Sequence, residues 1–188
     1  MSRLPPVLTG PRVLLRMGTE LDIPQIIDYY ERNREHLAPG PQRPPDFRTA
    51  AYWRERLHQS AEAFEQDRAL QLFLFHPPDE AAVGGTVALT EICRGALQAC
   101  NLGYGLDAHL QGRGLMTEAL GLVIAYAFGE LHLHRLTAGY RPTNERSGRV
   151  LRRLGFDVYG YARDYLLLGG EWHDHVLVSL TNPRWREL

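Results

Sequence analysis

Apolar and polar residues alternate in short runs near both ends of the chain and in its middle, with helical spacing between them. Residues 12–16, Arg-Val-Leu-Leu-Arg, read as a first strand. A helix is predicted over 23–34, with Asp22 as N-cap and Pro24 in the first turn. A second helix follows over 50–64, capped by Thr49. Residues 70–75 form a short apolar strand. Residues 82–91 and 99–106 are two strands joined by a polar turn as a hairpin. A strongly apolar helix spans 116–130, a strand 135–140. An amphipathic helix covers 144–154, with Val150, Leu151 and Leu154 on one face and Arg146, Arg149, Arg152 and Arg153 elsewhere. Strands over 159–168 and 172–180 close the chain as a hairpin turned at Gly169-Gly170. The order β-α-α-β-β-β-α-β-α-β-β places the protein in the α/β class, a mixed fold around one sheet, antiparallel at first with helical crossovers later.

The breakers fit that pattern. Residues 39–45 read as a loop between the first two helices, and residues 76–79 as a turn between strands. With no internal repeat, residues 1–188 are expected to form a single domain. The composition, 44% apolar and 23% charged, is globular. A chain this long buries enough surface to need no disulfide or metal staple. The longest apolar run, 119–129, falls short of the ~20 residues a membrane helix needs. The first residues carry no hydrophobic signal segment, and two cysteines fit a reducing compartment, so a cytoplasmic location is expected. Cys93 and Cys100 flank the first hairpin turn and would oppose each other if that turn is four residues long; a reduced pair is expected.

Charge sharpens the exclusions. The 21 basic and 22 acidic residues leave a net charge of −1, which argues against nucleic acid as a partner. Every basic residue is arginine, so lysine nucleophiles, Schiff bases and P-loops are excluded.

The candidate chemistry sits where the strand ending in Leu102-Gly103-Tyr104-Gly105-Leu106 gives way to Gln111-Gly112-Arg113-Gly114-Leu115-Met116-Thr117 and a helix. Two glycines let a ligand approach the backbone, and the unpaired N–H groups of the first helical turn form an anion site suited to a phosphate or pyrophosphate. The plainer alternative is a tight turn that needs glycine. A dinucleotide fingerprint would need a third glycine at Thr117, and it is absent.

A second segment makes the first specific. Asn144-Glu145-Arg146-Ser147, followed by Gly155-Phe156, places a capped helix about thirty residues on. Together the two segments resemble the GCN5-related N-acetyltransferase (GNAT) superfamily. Residues 29–37, 94–106, 144–156, 160–167 and 170–177 further resemble its ribosomal-protein-alanine N-acetyltransferase (RimJ/RimL) branch, closest to the RimJ side. The likeness covers nearly the whole chain. Met116 stands where the family's loop carries a small residue, and Gln111 stands where an arginine is also found.

The resemblance implies the GNAT fold, acetyl-CoA as donor, no metal, and the N-terminal α-amine of a ribosomal protein, alanine first, as acceptor. Direct attack of the amine on the thioester in a ternary complex is implied. Tyr104, Gly105, Leu106, Gln111, Gly112, Arg113, Gly114, Leu115, Met116, Thr117, Asn144 and Ser147 then hold the donor, with a backbone N–H of 104–106 as oxyanion stabiliser. The tyrosine acid that many relatives carry seven residues after the motif asparagine is Leu151 here. In the RimL-like pattern its place goes to Ser147, whose alternative role is to help cap the helix. Asp164 and Glu91 are the candidate bases, each alternatively a surface carboxylate paired with an arginine. Tyr161, Tyr165 and Trp172 either wall a peptide channel or belong to the core. The pairs His132/His134 and His173/His175 have ligand-like spacing, but no accompanying motif supports a metal. A small-amine acetyltransferase and a CoA-binding module without catalysis stay as rival readings. Monomer and homodimer both stay open.

Overall fold

The computed structural model describes residues 4–38, 40, 42–76 and 79–186, with backbone alone at 79–81. Pro39, Pro41, Pro77 and Pro78, parts of the two expected breakers, lie outside the described residues, as does the N-terminal tripeptide.

Eight strands form one sheet: β1 (Val7–Thr9), β2 (Leu14–Arg16), β3 (Leu70–His76), β4 (Asp79–Cys93), β5 (Ala99–Leu106), β6 (Arg135–Tyr140), β7 (Asp157–Leu168) and β8 (Glu171–Thr181). Four helices accompany them: α1 (Ile23–Arg32), α2 (Ala50–Glu65), α3 (Leu115–Gly129) and α4 (Glu145–Arg153). The spatial order is β1-β2-β3-β4-β5-β6-β8-β7. All neighbours are antiparallel except β5 and β6. The expected mixed α/β architecture is present, with one short addition, β1, at the sheet edge.

β3 shows why the sheet carries helices on both faces. Its run Leu70, Leu72, Phe73, Leu74, Phe75 is buried throughout. Side chains of a strand alternate in direction, so such a run needs cover on each side. Leu70, Leu72 and Leu74 join the cluster of α3 and α4, with Leu115, Ala119, Leu120, Val123 and Leu151. Phe73 and Phe75 join the cluster of α1 and α2, with Ile26, Tyr29, Trp53 and Leu57. The largely apolar α3 follows from the same geometry, since it lies against the sheet centre.

The parallel pair β5/β6 is short. It runs from Ala99 opposite Arg135 to Asn101 opposite Thr137 and then stops. Beyond it β5 stays paired to β4 as far as Leu106, while β6 stays paired to β8 as far as Tyr140. The two strands therefore part over their last residues and open a wedge. Backbone N–H groups of β5 that point away from β4 have no β6 carbonyl to meet there.

Two details correct the sequence reading. Cys93 stands opposite Ala99, not Cys100, because five residues rather than four separate the strands. Cys93 is exposed and Cys100 buried, both free, and burial pushes the Cys100 thiol up to about 12. The helix expected to reach residue 34 stops at Arg32. Asn33 leaves helical geometry, and its side-chain amide donates both to the Tyr29 carbonyl and to Asp107.

Candidate active site

One wall of the wedge is the loop between β5 and α3. It begins at Asp107, a buried carboxylate that ties the loop to the end of α1. Arg32 Nε donates to it at 2.7 Å, the Asn33 amide at 2.9 Å and the His109 backbone N–H at 2.9 Å. Asn33 Oδ1 accepts the Ala108 N–H at 2.9 Å, completing the knot. Burial by itself would raise the Asp107 pKa, but the bonds from Asn33, Arg32 and His109 outweigh it and hold the carboxyl below its ordinary range.

Gly112 and Gly114 have φ of +76° and +77°, a left-handed backbone that side chains with a Cβ rarely adopt. A Cβ on Gly112 would point into open space, and one on Gly114 would stand 3.6 Å from an Arg12 nitrogen. The loop backbone therefore faces open room. α3 starts immediately after, at Leu115, so its first N–H groups and the positive end of its dipole face the same room. Arg113 is exposed beside it. This cradle fits the pyrophosphate of a nucleotide-containing donor.

Side chains brace the loop from behind. Arg12 donates through its backbone N–H and Nε to Glu118 on α3, both at 2.8 Å, and through Nη1 to the Arg113 carbonyl at 2.9 Å. Gln111 lies between His36 and Arg146, 2.7 Å from the former and accepting from the latter. Gln111 thus bridges α1's trailing turn and α4.

α4 forms the opposite side of the wedge. Asn144 caps it, accepting the Ser147 backbone N–H at 3.1 Å. The Ser147 hydroxyl is not the cap: it lies 2.7 Å from the phenol oxygen of Tyr104 on β5. Alternation on β5 sends Tyr104 to the α4 face and Gly105 to the α1 face. A Cβ on Gly105 would stand 3.3 Å from the Tyr29 phenol oxygen.

The side formed by the last hairpin is built differently. The β7/β8 hairpin runs past the end of β6 and carries exposed Tyr161, Tyr165 and Trp172, at 56%, 45% and 60%. These rings are surface residues, so their core reading is set aside. The pairing of β7 slips between Ala162 and Leu166, with Asp164 at φ +45° in the bulge. Asp174 on β8 gathers this bulge: it accepts the Tyr161 hydroxyl at 2.6 Å and the Asp164 N–H at 3.0 Å. The Tyr161 bond, then the Asp164 bond, hold the Asp174 carboxyl below its ordinary range. Gly169 at the hairpin tip and the α1–α2 loop share a cavity of about 390 Å³, lined also by Tyr30, Leu37, Arg43 and Phe47.

Glu91 is elsewhere. Its φ of +52° breaks the strand alternation, and its carboxylate accepts from Asn101, the last β5 residue paired to β6. Tyr104 is paired with Val87, four positions away, roughly 13 Å along the strand. The histidine pairs are also accounted for locally. His132 meets the Arg186 carbonyl, and both His132 and His134 pack on Trp185. His173 and His175 meet main-chain carbonyls of the hairpin. Among the described residues no group of three or more metal-ligating side chains occurs.

Sequence reasoning missed Asp107, Arg12, Glu118, the Tyr104 side chain and Asp174. Only Asp107 carried a local signal, since it precedes a 3-10 turn (Ala108–Leu110) that it caps.

A glycine loop opening a helix beside a splayed parallel pair makes an anion cradle next to an open strand edge, and family comparison gives the class. Residues 12–157 match the acetyltransferase (GNAT) domain, and the chain belongs to that family. It is 42% identical over 186 residues to the [ribosomal protein uS5]-alanine N-acetyltransferase of Escherichia coli K12, covering 98% of this chain and 95% of that one. Among solved structures it is similar to the ribosomal-protein-S5-alanine acetyltransferase of Vibrio fischeri, with a TM-score of 0.91, 36% identity and coverage of 97% and 100%. It is also similar to Mycobacterium smegmatis RimJ, solved with CoA-disulfide, with a TM-score of 0.88, 25% identity and coverage of 97% and 90%.

Proposed function

We propose that the chain, acting as one acetyltransferase domain, moves an acetyl group from acetyl-CoA to the N-terminal α-amine of a ribosomal protein, alanine first, as its uS5-alanine relative is named to do. The observation that carries this reading is that the likeness to that relative runs through 98% of the chain, so it includes the acceptor-side hairpin as well as the loop.

The roles follow from placement. The 111–117 backbone, with Arg113, holds the donor pyrophosphate. A β5 N–H freed by the splay, within Tyr104 to Leu106, meets the carbonyl oxygen as it gains charge. The amine enters between the hairpin and the α1–α2 loop, past Tyr161, Tyr165 and Trp172, and attacks the thioester carbon. Asp164, on the hairpin bulge, takes the amine's proton through water; Glu91, at the closed end of the strands, does not serve. Asp174 fixes the bulge. Ser147 meets the departing sulfur.

An α-amine suits a modest base. With a pKa of about 7.7–8.0 it is partly neutral at physiological pH, whereas a lysine at about 10.4 is nearly all charged. The test is a competition among short peptides starting with Ala or Ser, the same peptides N-blocked but carrying lysine, and spermidine. The free Ala peptide is expected to give the highest kcat/KM. Equal or faster acetylation of the blocked peptide or of spermidine would overturn the assignment.

A further inference from the structure

We propose that Tyr104 is a positioning residue for Ser147: its phenol donates into Ser147 Oγ and leaves the serine hydrogen free to point at the sulfur that departs from the acetyl thioester. The inference rests on the acetyltransferase reading and assigns a task to a side chain which that reading used only for its backbone.

The direction of the bond follows from distance and acidity. Among the described residues the Tyr104 hydroxyl meets two atoms of Ser147: Oγ at 2.7 Å, where either oxygen can donate, and the main-chain carbonyl oxygen at 3.4 Å. The carbonyl contact lies at the long limit of a hydrogen bond, so the phenol, the more acidic of the two hydroxyls, gives its hydrogen to the nearer Oγ. The serine hydroxyl has one hydrogen and room for two incoming bonds. Once it accepts from Tyr104, its own hydrogen is unspent. Its backbone N–H is already engaged by Asn144, so the residue is held at both ends.

The frame keeps this geometry. Tyr104 comes from a strand of the central sheet and Ser147 from the first turn of α4. Gly148 lets the helix sit against Tyr140 of β6, since a Cβ there would meet the ring at 2.9 Å. Burial also pushes the Tyr104 phenol up to about 12, so it stays a neutral donor at physiological pH.

No proton has to leave either hydroxyl. When the C–S bond breaks, its electron pair stays on sulfur. A phenol held near 12, and an aliphatic hydroxyl more weakly acidic still, are poor sources of a full proton for a thiolate. Each remains a donor, and Ser147 stabilises the new charge with a charge-assisted hydrogen bond. The proton lost by the amine goes through the separate path at Asp164.

The experiment compares wild type, Tyr104→Phe, Ser147→Ala and the double variant. Folding is checked by thermal melting and by acetyl-CoA affinity, both expected to be nearly unchanged. Ser147→Ala is expected to lower kcat ten- to a hundredfold and Tyr104→Phe about tenfold, each with little change in KM for acetyl-CoA. The double variant should be no slower than Ser147→Ala, because Tyr104 acts only through the serine. A Tyr104→Phe kcat within twofold of wild type would overturn the proposal. So would losses that multiply in the double variant, or a loss in Tyr104→Phe with none in Ser147→Ala.

A second readout needs no acceptor. Calorimetry at about pH 9, above the ordinary thiol pKa of about 8.5, compares CoA with its desulfo analogue. Wild type should favour CoA, and both single variants should shrink that preference at least threefold. An unchanged ratio in Tyr104→Phe would count against the proposal even if the peptide competition had already removed the ribosomal acceptor.

Discussion

The two sides of the wedge use carboxylates in opposite ways. On the donor side Asp107 is buried, 3% exposed, and ringed by Arg32, Asn33 and a backbone N–H. On the acceptor side Asp174 is half-buried at the surface, holding one phenol and one backbone N–H of its own hairpin. Both carboxyls are held below their ordinary range, but for different reasons. Asp107 overcomes a burial penalty by several bonds, whereas Asp174 has little penalty to overcome. The donor loop is thus anchored to the folded core at Asp107, although its own residues 108–114 are exposed or half-buried. The acceptor side is a surface, and stability and binding separate there.

Replacing Asp107 by Ala is the hardest test of that contrast. It removes one acceptor from the Arg32 guanidinium, which keeps Asp28 and the Val83 carbonyl, and one from the buried Asn33 amide, which keeps the Tyr29 carbonyl. Losing a buried acceptor from such a set costs about 1–3 kcal/mol. For a chain of this size that lowers Tm by roughly 2–12 °C. Asp174→Asn should leave Tm close to that of wild type. Comparable melting losses in the two variants would erase the distinction. Acid tests the same group without mutation. A carboxyl whose folded pKa is depressed stabilises the fold above its unfolded pKa, near the ordinary 3.8, and that contribution is lost as pH falls through the lower folded value. Wild-type stability should therefore drop on acidification below about pH 4, and the drop should be shallower in Asp107→Asn.

The next effect is confined to the donor loop. Gly114→Val places a β-branched residue at φ +77°, a conformation it rarely adopts, and crowds the Arg12 brace, so the loop backbone must shift. Acetyl-CoA should bind tenfold more weakly or worse, about 1.4 kcal/mol. Calorimetry on the folded variant checks this. Unchanged affinity would remove the loop from the donor site.

The contrast also explains what the sequence disclosed. The donor side was legible because its signals are local. The strand 99–106 and the strand 135–140 have the expected ends, α3 starts one residue early at Leu115, and the glycines that needed positive φ announced themselves. The bracing was not legible. Arg12 meets Glu118 across 106 residues and Asn33 meets Asp107 across 74, and periodicity carries no information about such pairs. β1 escaped because three half-exposed residues after Pro5-Pro6 make no pattern. The bulges at Glu91 and Asp164 escaped because each puts a non-glycine residue at positive φ, against local preference. The first of these turned an apparently cleft-facing carboxylate toward Asn101. The second gave Asp174, unmarked in the sequence, two partners. Ser147 was legible as a motif residue, but its bond to Tyr104 appeared only once β5 and α4 were in place.

The smallest effect on the fold, and the sharpest on the acceptor side, is expected from Trp172. It lies across from Leu167 on the hairpin and is 60% exposed, so its indole has little to lose on truncation. Trp172→Ala should leave Tm within about 1–2 °C of wild type, as a surface change of under about 0.5 kcal/mol implies. The same ring is a broad apolar surface beside the proposed route of the peptide, and removing an anchor residue from an interface costs about 1 kcal/mol or more of binding. The expected signature is a several-fold rise in KM for the free Ala peptide, with KM for acetyl-CoA and kcat nearly unchanged. That pattern marks binding lost equally from ground and transition states. If Tm falls as far as in Asp107→Ala, the hairpin belongs to the core after all. If peptide KM stays at the wild-type value, the acceptor takes another path, and the two sides of the wedge no longer divide the work between donor and acceptor.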